Sequence, residues 1–259
     1  METQNLINKK IIITGASSGI GKAAALNLAK QGASLILVAR REEQLQEVAQ
    51  EITSLGGSVQ WYAADLSMLD QIDELTNKIL SNNKTIDILI NNAGRSIRRP
   101  IEESLERFHD FERCMTINYF APVRLTRNLL PALKQSKNGH IINSSTWGTL
   151  LPVAGFASYN ASKIALDNFS NSLRMEMKDQ GIAVTQIHFP LVHTKMSSAT
   201  ESFKKLPGMT TEDAANWIKE VIEKKPREKI NKLTRMARIL YFLFPQFVEK
   251  KSLSSPFSI

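Results

Sequence analysis

Apolar residues in this chain follow two rhythms that alternate from its first residues onward: short β-branched runs, and longer segments in which they recur every three or four positions. The short runs predict strands at 10–14, 34–39, 58–63, 86–91, 140–145 and 183–189, and the longer ones helices at 20–31, 42–55, 68–80, 111–135 and 159–178. The strand runs are apolar at consecutive positions, so helices should cover both faces of the sheet, and Gly32, Gly56 and Gly181 stand where helices should close. Alternating strand and helix implies βαβ units: an α/β chain with a three-layer, doubly wound parallel sheet in a single domain. Past Thr194 the alternation fades. Residues 196–207 read as a mobile loop, 211–224 as a helix opened by Thr-Glu-Asp, and 227–230 as a last short strand, with a substrate loop expected at about 195–225. The domain should therefore occupy 1–231, leaving 232–259 as a basic and apolar tail.

Composition narrows the class. With 259 residues, 42% of them hydrophobic, the chain can bury one sizeable core and little more. The lone Cys114 cannot form an internal disulfide and no apolar leader precedes the first strand, so a cytoplasmic location is expected. No run reaches the roughly 18 apolar residues that cross a bilayer. The net charge of +8 points to anionic ligands or surfaces. Much of it sits in Arg95, Arg98 and Arg99 and between Lys219 and Arg238 without interleaved aromatics, so nucleic acid is not an expected partner. His109, His140, His188 and His193 lack ligand spacing, and there is neither a cysteine cluster nor a G-x-S-x-G elbow, so no metal is expected.

The candidate chemistry begins where the first strand meets the first helix, at Thr14-Gly15-Ala16-Ser17-Ser18-Gly19-Ile20-Gly21. Glycines let the backbone turn tightly and approach a pyrophosphate, whose charge the free N–H groups and dipole of the helix start stabilise. This predicts a dinucleotide site of Rossmann type, spaced G-x-x-x-G-x-G. At the end of the second strand, where an acid would bond a ribose 2′-hydroxyl and select NAD, the chain has Arg40 and Arg41. Two guanidiniums suit a 2′-phosphate instead, which predicts NADP as cofactor.

Tyr159 and Lys163 stand one helical turn apart on one face. A phenol titrating near pH 10 readily protonates an alkoxide, and a neighbouring cation stabilises the phenolate. Asn91-Asn92-Ala93-Gly94 and Ser144-Ser145-Thr146 end the fourth and fifth strands, where ligands bind in this architecture. With TGASSGIG, Asp65-Leu66, NNAG, Ile117-Asn118 and YNASK in this order over residues 6 to about 195, the chain resembles the short-chain dehydrogenase/reductase family. The resemblance implies an oxidoreductase that passes a hydride between NADP(H) and a carbonyl or alcohol carbon. Tyr159 would be the proton donor or acceptor, Lys163 would bond the nicotinamide ribose and lower the tyrosine pKa, and Asn118 would hold a relay water. Asp65, Leu66, Asn92, Ala93 and Gly94 would line the adenine and its ribose beside the loop residues Gly15, Ser17, Ser18, Gly19, Ile20 and Gly21. The family's substrate-orienting serine stands 13 residues before the tyrosine; here that position is Thr146, with Ser145 one residue earlier, and both remain candidates. Pro190, Val192 and Thr194 would meet the carboxamide, although Leu191 replaces the usual glycine.

A looser resemblance, to bacterial fatty acyl-CoA reductases, rests on Asn91 to Arg99 (NNAGRSIRR), Thr146-Trp147-Gly148, PLVHTKM and Leu243-Phe244-Pro245. It implies an apolar substrate such as a fatty aldehyde, an acyl thioester or a similar ketone, with Arg95, Arg98 and Arg99 near the mouth to receive phosphates. Phe111, Met115, Leu125, Leu129 and Leu133 read as core or subunit contacts, and family members commonly pair through these helices, so a homodimer or homotetramer is expected. In the tail, Lys232, Arg235 and Arg238 share one side of a helix and the apolar run 239–244 needs a cover. That cover is the body, a second subunit or an anionic membrane, which makes peripheral membrane contact a further expectation. The rival classes are a non-catalytic NADP-binding redox sensor, which would need no Asn118, Tyr159 and Lys163 relay, and a membrane-surface scaffold.

Overall fold

Among the described residues seven parallel strands form one sheet: β1 (Lys10–Thr14), β2 (Ser34–Ala39), β3 (Ser58–Ala63), β4 (Ile88–Asn91), β5 (His140–Thr146), β6 (Ala183–Phe189) and β7 (Glu228–Lys229). They lie in the order β3-β2-β1-β4-β5-β6-β7. The computed structural model describes residues 6–253; positions 1–5 of the expected domain and 254–259 of the expected tail lie outside the described residues. Winding reverses between β1 and β4, which opens a crevice at the carboxyl ends of the strands.

Alternation along each strand decides which helices it meets. Ile11 and Ile13 of β1 join one core with helices α1 (Gly19–Ala29), α2 (Glu42–Ser54) and α7 (Thr211–Lys224), through Leu28, Leu45, Ile52 and Ile218. Ile12, pointing the other way, joins the core of α3 (Leu69–Asn82) and α5 (Ala121–Gln135), through Ile72, Ile79, Leu125 and Leu129. Gly32, Gly56 and Gly181 do follow helices and all have positive φ, a conformation in which a Cβ is strained.

Three expectations change. Strand β3, read as apolar on both faces, is half exposed because it is the edge of the sheet. The single helix read over 111–135 is α4 (His109–Met115), one π turn (Thr116–Phe120) and α5. The cause is local: Pro122 has no N–H to offer the Asn118 carbonyl four residues back, so the α-helical ladder breaks there. The segment 196–207, read as a loop, holds two 3₁₀ turns, Ser197–Ala199 and Glu201–Lys205. Helix α6 (Ala157–Glu176) covers β5 and β6, and the tail folds into α8 (Lys232–Leu243) and α9 (Pro245–Leu253).

Candidate active site

Thr14, the last residue of β1, ties the switch point together. Its hydroxyl accepts the N–H groups of Asn92 and Ala93 at 3.0 and 2.9 Å, while the Asn92 side chain donates to the Thr14 carbonyl at 3.0 Å. The glycine turn is thereby pressed against the end of β4. A Cβ on Gly15 would lie 3.0 Å from Cα of Ala93, and one on Gly21 would overlap the Gly15 carbonyl, so the two segments fit only as glycine. Helix α1 begins here without a side-chain cap or an acid in its first turn, leaving its positive end available to an anion. Arg41 donates to the hydroxyls of Ser17 and Ser18, at 3.3 and 2.8 Å, and Arg40 lies 3.6 Å from Asp65. Burial pushes the Asp65 carboxyl up, but the Ser67 hydrogen bonds and Arg40 hold it below its ordinary value.

Gly15, Ser17, Ser18, Gly19, Ile20, Arg40, Arg41 and Asp65 line one cleft of 1220 Å³, which continues past Leu66, Asn92, Ala93 and Gly94 to Ser144, Ser145, Thr146, Tyr159, Lys163, Pro190, Val192 and Thr194; Gly21, expected among the cofactor residues, is not in its wall and packs against Gly15 instead. Sites for drug-sized ligands run to about 1,000 Å³, so the cleft has room for a dinucleotide and more. The cleft is a dinucleotide cradle by its chemistry: an uncapped helix start, a turn that only glycine fits, and a buried Ser144 hydroxyl with no partner among the described residues.

Asn118 is fully buried in the π turn. Its amide donates to the Arg95 carbonyl at 2.8 Å and to the Ser162 hydroxyl at 2.9 Å, and its oxygen accepts the Arg95 N–H at 2.9 Å. These bonds seat Gly94 so closely that a Cβ there would meet Asn118 Oδ1 at 2.9 Å and Lys163 Nζ at 3.4 Å. Lys163 donates to the Ser144 carbonyl at 2.8 Å. Burial lowers its ammonium to a pKa of about 8. Burial likewise raises the Tyr159 phenol to about 12, against a hydrogen bond from Thr146 that favours the phenolate. The lowering expected from Lys163 is not found: the phenol stands above its ordinary value.

The neighbouring hydroxyls separate. Thr146 meets the phenol, whereas Ser145 turns away and donates to Asp167 at 2.9 Å. Around them the wall is apolar: Phe156 meets Tyr159 edge-on with centroids 6.3 Å apart and stacks on Phe203 at 5.9 Å, with Val153, Leu191 and Met196 beside them. Arg95, Arg98, His109 and Arg113 line the same cleft. Arg99, read as part of the mouth, instead joins Asp110 at 3.2 Å, because that buried carboxylate gathers the guanidiniums of Arg99, Arg107 and Arg113 around it.

Sequence reading missed Asp167, Phe156 and Phe203. Asp167 had a signal: it follows Lys163 by four residues, on the same helical face. The two phenylalanines had none, since they meet only through the fold.

Residues 9–205 match the family model for short chain dehydrogenase. A fatty acyl-CoA reductase of Acinetobacter baylyi is 45% identical over 242 residues, which cover 93% of this chain and 82% of that protein. Among solved structures, a short-chain dehydrogenase of Streptomyces avermitilis superposes with a TM-score of 0.80 at 26% identity, covering 95% of this chain and 98% of that one. A metagenomic short-chain oxidoreductase in complex with NADP gives 0.75 at 28% identity, covering 88% and 98%.

Proposed function

This chain belongs to the short-chain dehydrogenase/reductase family and is an oxidoreductase acting on carbonyl or alcohol groups, and from that premise we propose that it reduces a long apolar carbonyl substrate with NADPH, an acyl thioester suiting the site best. The observation that carries this reading is the convergence of the half-buried Tyr159 phenol, the Thr146 hydroxyl and the buried Lys163 ammonium on one cleft with an aromatic wall. Arg40 and Arg41, with Ser17 and Ser18, would take the 2′-phosphate, and Gly15 to Gly21 with the start of α1 the pyrophosphate. Asp65, Leu66, Asn92, Ala93 and Gly94 would line the adenine side, and Pro190, Val192 and Thr194 the carboxamide side. When bound, NADPH supplies the hydride.

The chain's own groups manage the proton. Thr146 and Tyr159 face the substrate oxygen together, and a phenol at about 12 stays protonated through neutral pH, ready to donate. Lys163, charged below about pH 8, stabilises the negative phenolate that donation leaves behind. The Asn118 carbonyl, to which Pro122 cannot donate in the α-helical pattern, would be the acceptor through which a water resupplies the proton. Phe156, Phe203 and Val153 exclude bulk water and bind the acyl chain, while Arg95, Arg98 and Arg113 suit phosphates on its carrier. The relative in Acinetobacter is named for such a substrate. Ile164 and Met175 of α6, with Phe120 before α5, are exposed and suit pairing of two copies. The single buried thiol suits a reducing, cytoplasmic compartment.

NADPH consumption with acyl thioesters and aldehydes of graded length tests this. Turnover should rise with chain length, and Tyr159→Phe should lower it at least about 100-fold while NADPH affinity stays within about threefold. Near-normal turnover in Tyr159→Phe would overturn the assignment, and indifference to length would overturn the apolar substrate.

A second reading adds to the first: peripheral contact with an anionic membrane through α8 and α9. The exposed apolar side chains of these helices favour it, and the cations around them choose the occupant.

A further inference from the structure

Beneath Tyr159 and Lys163 lies a second cluster of ionisable groups that proton donation does not use. Asp167 follows Lys163 by one turn of α6, its side chain 13% exposed. Its Oδ2 accepts from Ser145 at 2.9 Å and lies 3.7 Å from Nδ1 of His188, a buried residue of β6. Its Oδ1 is buried, and the Thr149 hydroxyl is the carboxyl's other hydrogen-bonding neighbour. On the far side, His188 Nε2 stands 4.0 Å from Glu228 of β7, and the two terminal guanidinium nitrogens of Arg238 on α8 donate to Glu228, at 3.0 and 2.9 Å.

Burial pushes the Asp167 carboxyl up, and hydrogen bonds from Thr149 and Ser145 and the charges nearby work against that cost. The charged and titratable groups that face Asp167 are Lys163 and Arg174 from its own helix and His188 from β6, with Arg227 and Arg238 acting through Glu228. Cys114 of α4, itself near Arg95 and Asp110, is the other titratable neighbour of Lys163. An anchor for the Ser145 hydroxyl alone would need only a neutral amide.

We propose that Asp167 is a positioning residue for the reaction: its carboxylate is the counter-charge that keeps Lys163 an ammonium, and by holding Ser145 it fixes the end of β5 from which Thr146 reaches the phenol. This rests on the roles given above to Tyr159 and Lys163. Electrostatically, Asp167 raises both Lys163, against the burial that lowers it to about 8, and the phenol. Removing the negative charge lowers both. Whichever group loses its proton first, the fall in reduction rate at alkaline pH then begins earlier.

Asp167→Asn keeps the shape and can still accept from Ser145. The alkaline limb of kcat for reduction should move to lower pH by about half a unit to one unit, lowering kcat at pH 8 about two- to fivefold, with NADPH affinity within about twofold. Asp167→Glu, which keeps the charge, should restore the limb to within about 0.3 units of wild type. Should the asparagine variant fold poorly, Asp167→Ser is smaller, also neutral, and gives the same reading. A folded neutral variant whose limb stays at the wild-type pH, with only thermal stability changed, overturns the proposal. Tyr159→Phe run in parallel separates the two levels: activity surviving it sinks the catalytic reading, whereas an inactive Tyr159→Phe beside an unmoved limb sinks only the role of Asp167.

Discussion

Arg40 and Arg41 are adjacent in the chain but differ in what they have left to offer a phosphate. Arg41 is held over the glycine turn by Ser17 and Ser18, whereas Arg40 shares its charge with Asp65. A charge-assisted hydrogen bond is worth about 1.5–3 kcal/mol, so Arg41→Ala should weaken NADPH binding about 10- to 100-fold and leave NADH within about twofold. Arg40→Ala should cost less, because its loss also frees a carboxylate. Nicotinamide fluorescence titration distinguishes them, and an unchanged preference for NADPH in Arg41→Ala would place phosphate recognition elsewhere. At this scale residue types were legible in the sequence because the chemistry demands them, but partners were not. Nothing in Ser144-Ser145-Thr146 announces that the middle hydroxyl turns toward α6 while the last meets the phenol.

Secondary structure elements were legible wherever the apolar period was uninterrupted. The exceptions arose where a backbone effect overrode it, as at Pro122, or where neighbours decided exposure, as on the edge strand β3. His140, first residue of β5, shows what packing of elements does to a titrating group. Thr185 on β6 donates its hydroxyl to the Pro226 carbonyl at 2.5 Å, so the His140 ring must give it the Nε2 proton, at 2.9 Å, while Nδ1 is buried without a partner. Burial pushes this imidazole down to about 3 from an ordinary 6.5. The unfolded chain therefore binds a proton here that the folded one refuses. The stability from a neutral His140 is complete above about pH 6.5 and is lost as pH falls toward 3, each unit of depression being worth about 1.4 kcal/mol. The melting temperature should drop between pH 7 and pH 5, more steeply in wild type than in His140→Gln, and parallel slopes would acquit this histidine.

On the scale of the whole molecule, the tail is the surface without a cover. Leu233, Met236 and Phe242 are 76%, 67% and 84% exposed, and Ile239, Leu240, Leu243, Phe244 and Phe247 stand out with them. Arg238, read from sequence as one of three aligned cations, is drawn instead to Glu228. That leaves Lys232, Arg235 and Lys250 beside the apolar surface, with Glu249 as the segment's one acid. Two copies meeting across this face would bring like charges together, whereas anionic lipid answers both features. The protein should therefore sediment with vesicles of phosphatidylglycerol and phosphatidylcholine at low salt. Leu240→Glu with Phe242→Glu should reduce binding at least about tenfold without altering melting temperature or turnover of short aldehydes. Protein that stays in the supernatant, or a variant that changes oligomer size instead, would assign the face to another occupant. By itself the sequence determined the alternation that builds a doubly wound sheet, the glycine turn, and the placing of Tyr159 and Lys163 one helical turn apart, because periodicity and residue spacing are local properties of the chain. Only the tertiary structure decided which hydroxyl meets the phenol, that Arg99 leaves the mouth for Asp110, and that Asp167 lies under Lys163. Those outcomes depend on burial and distance between residues far apart in the chain, and no local pattern records them.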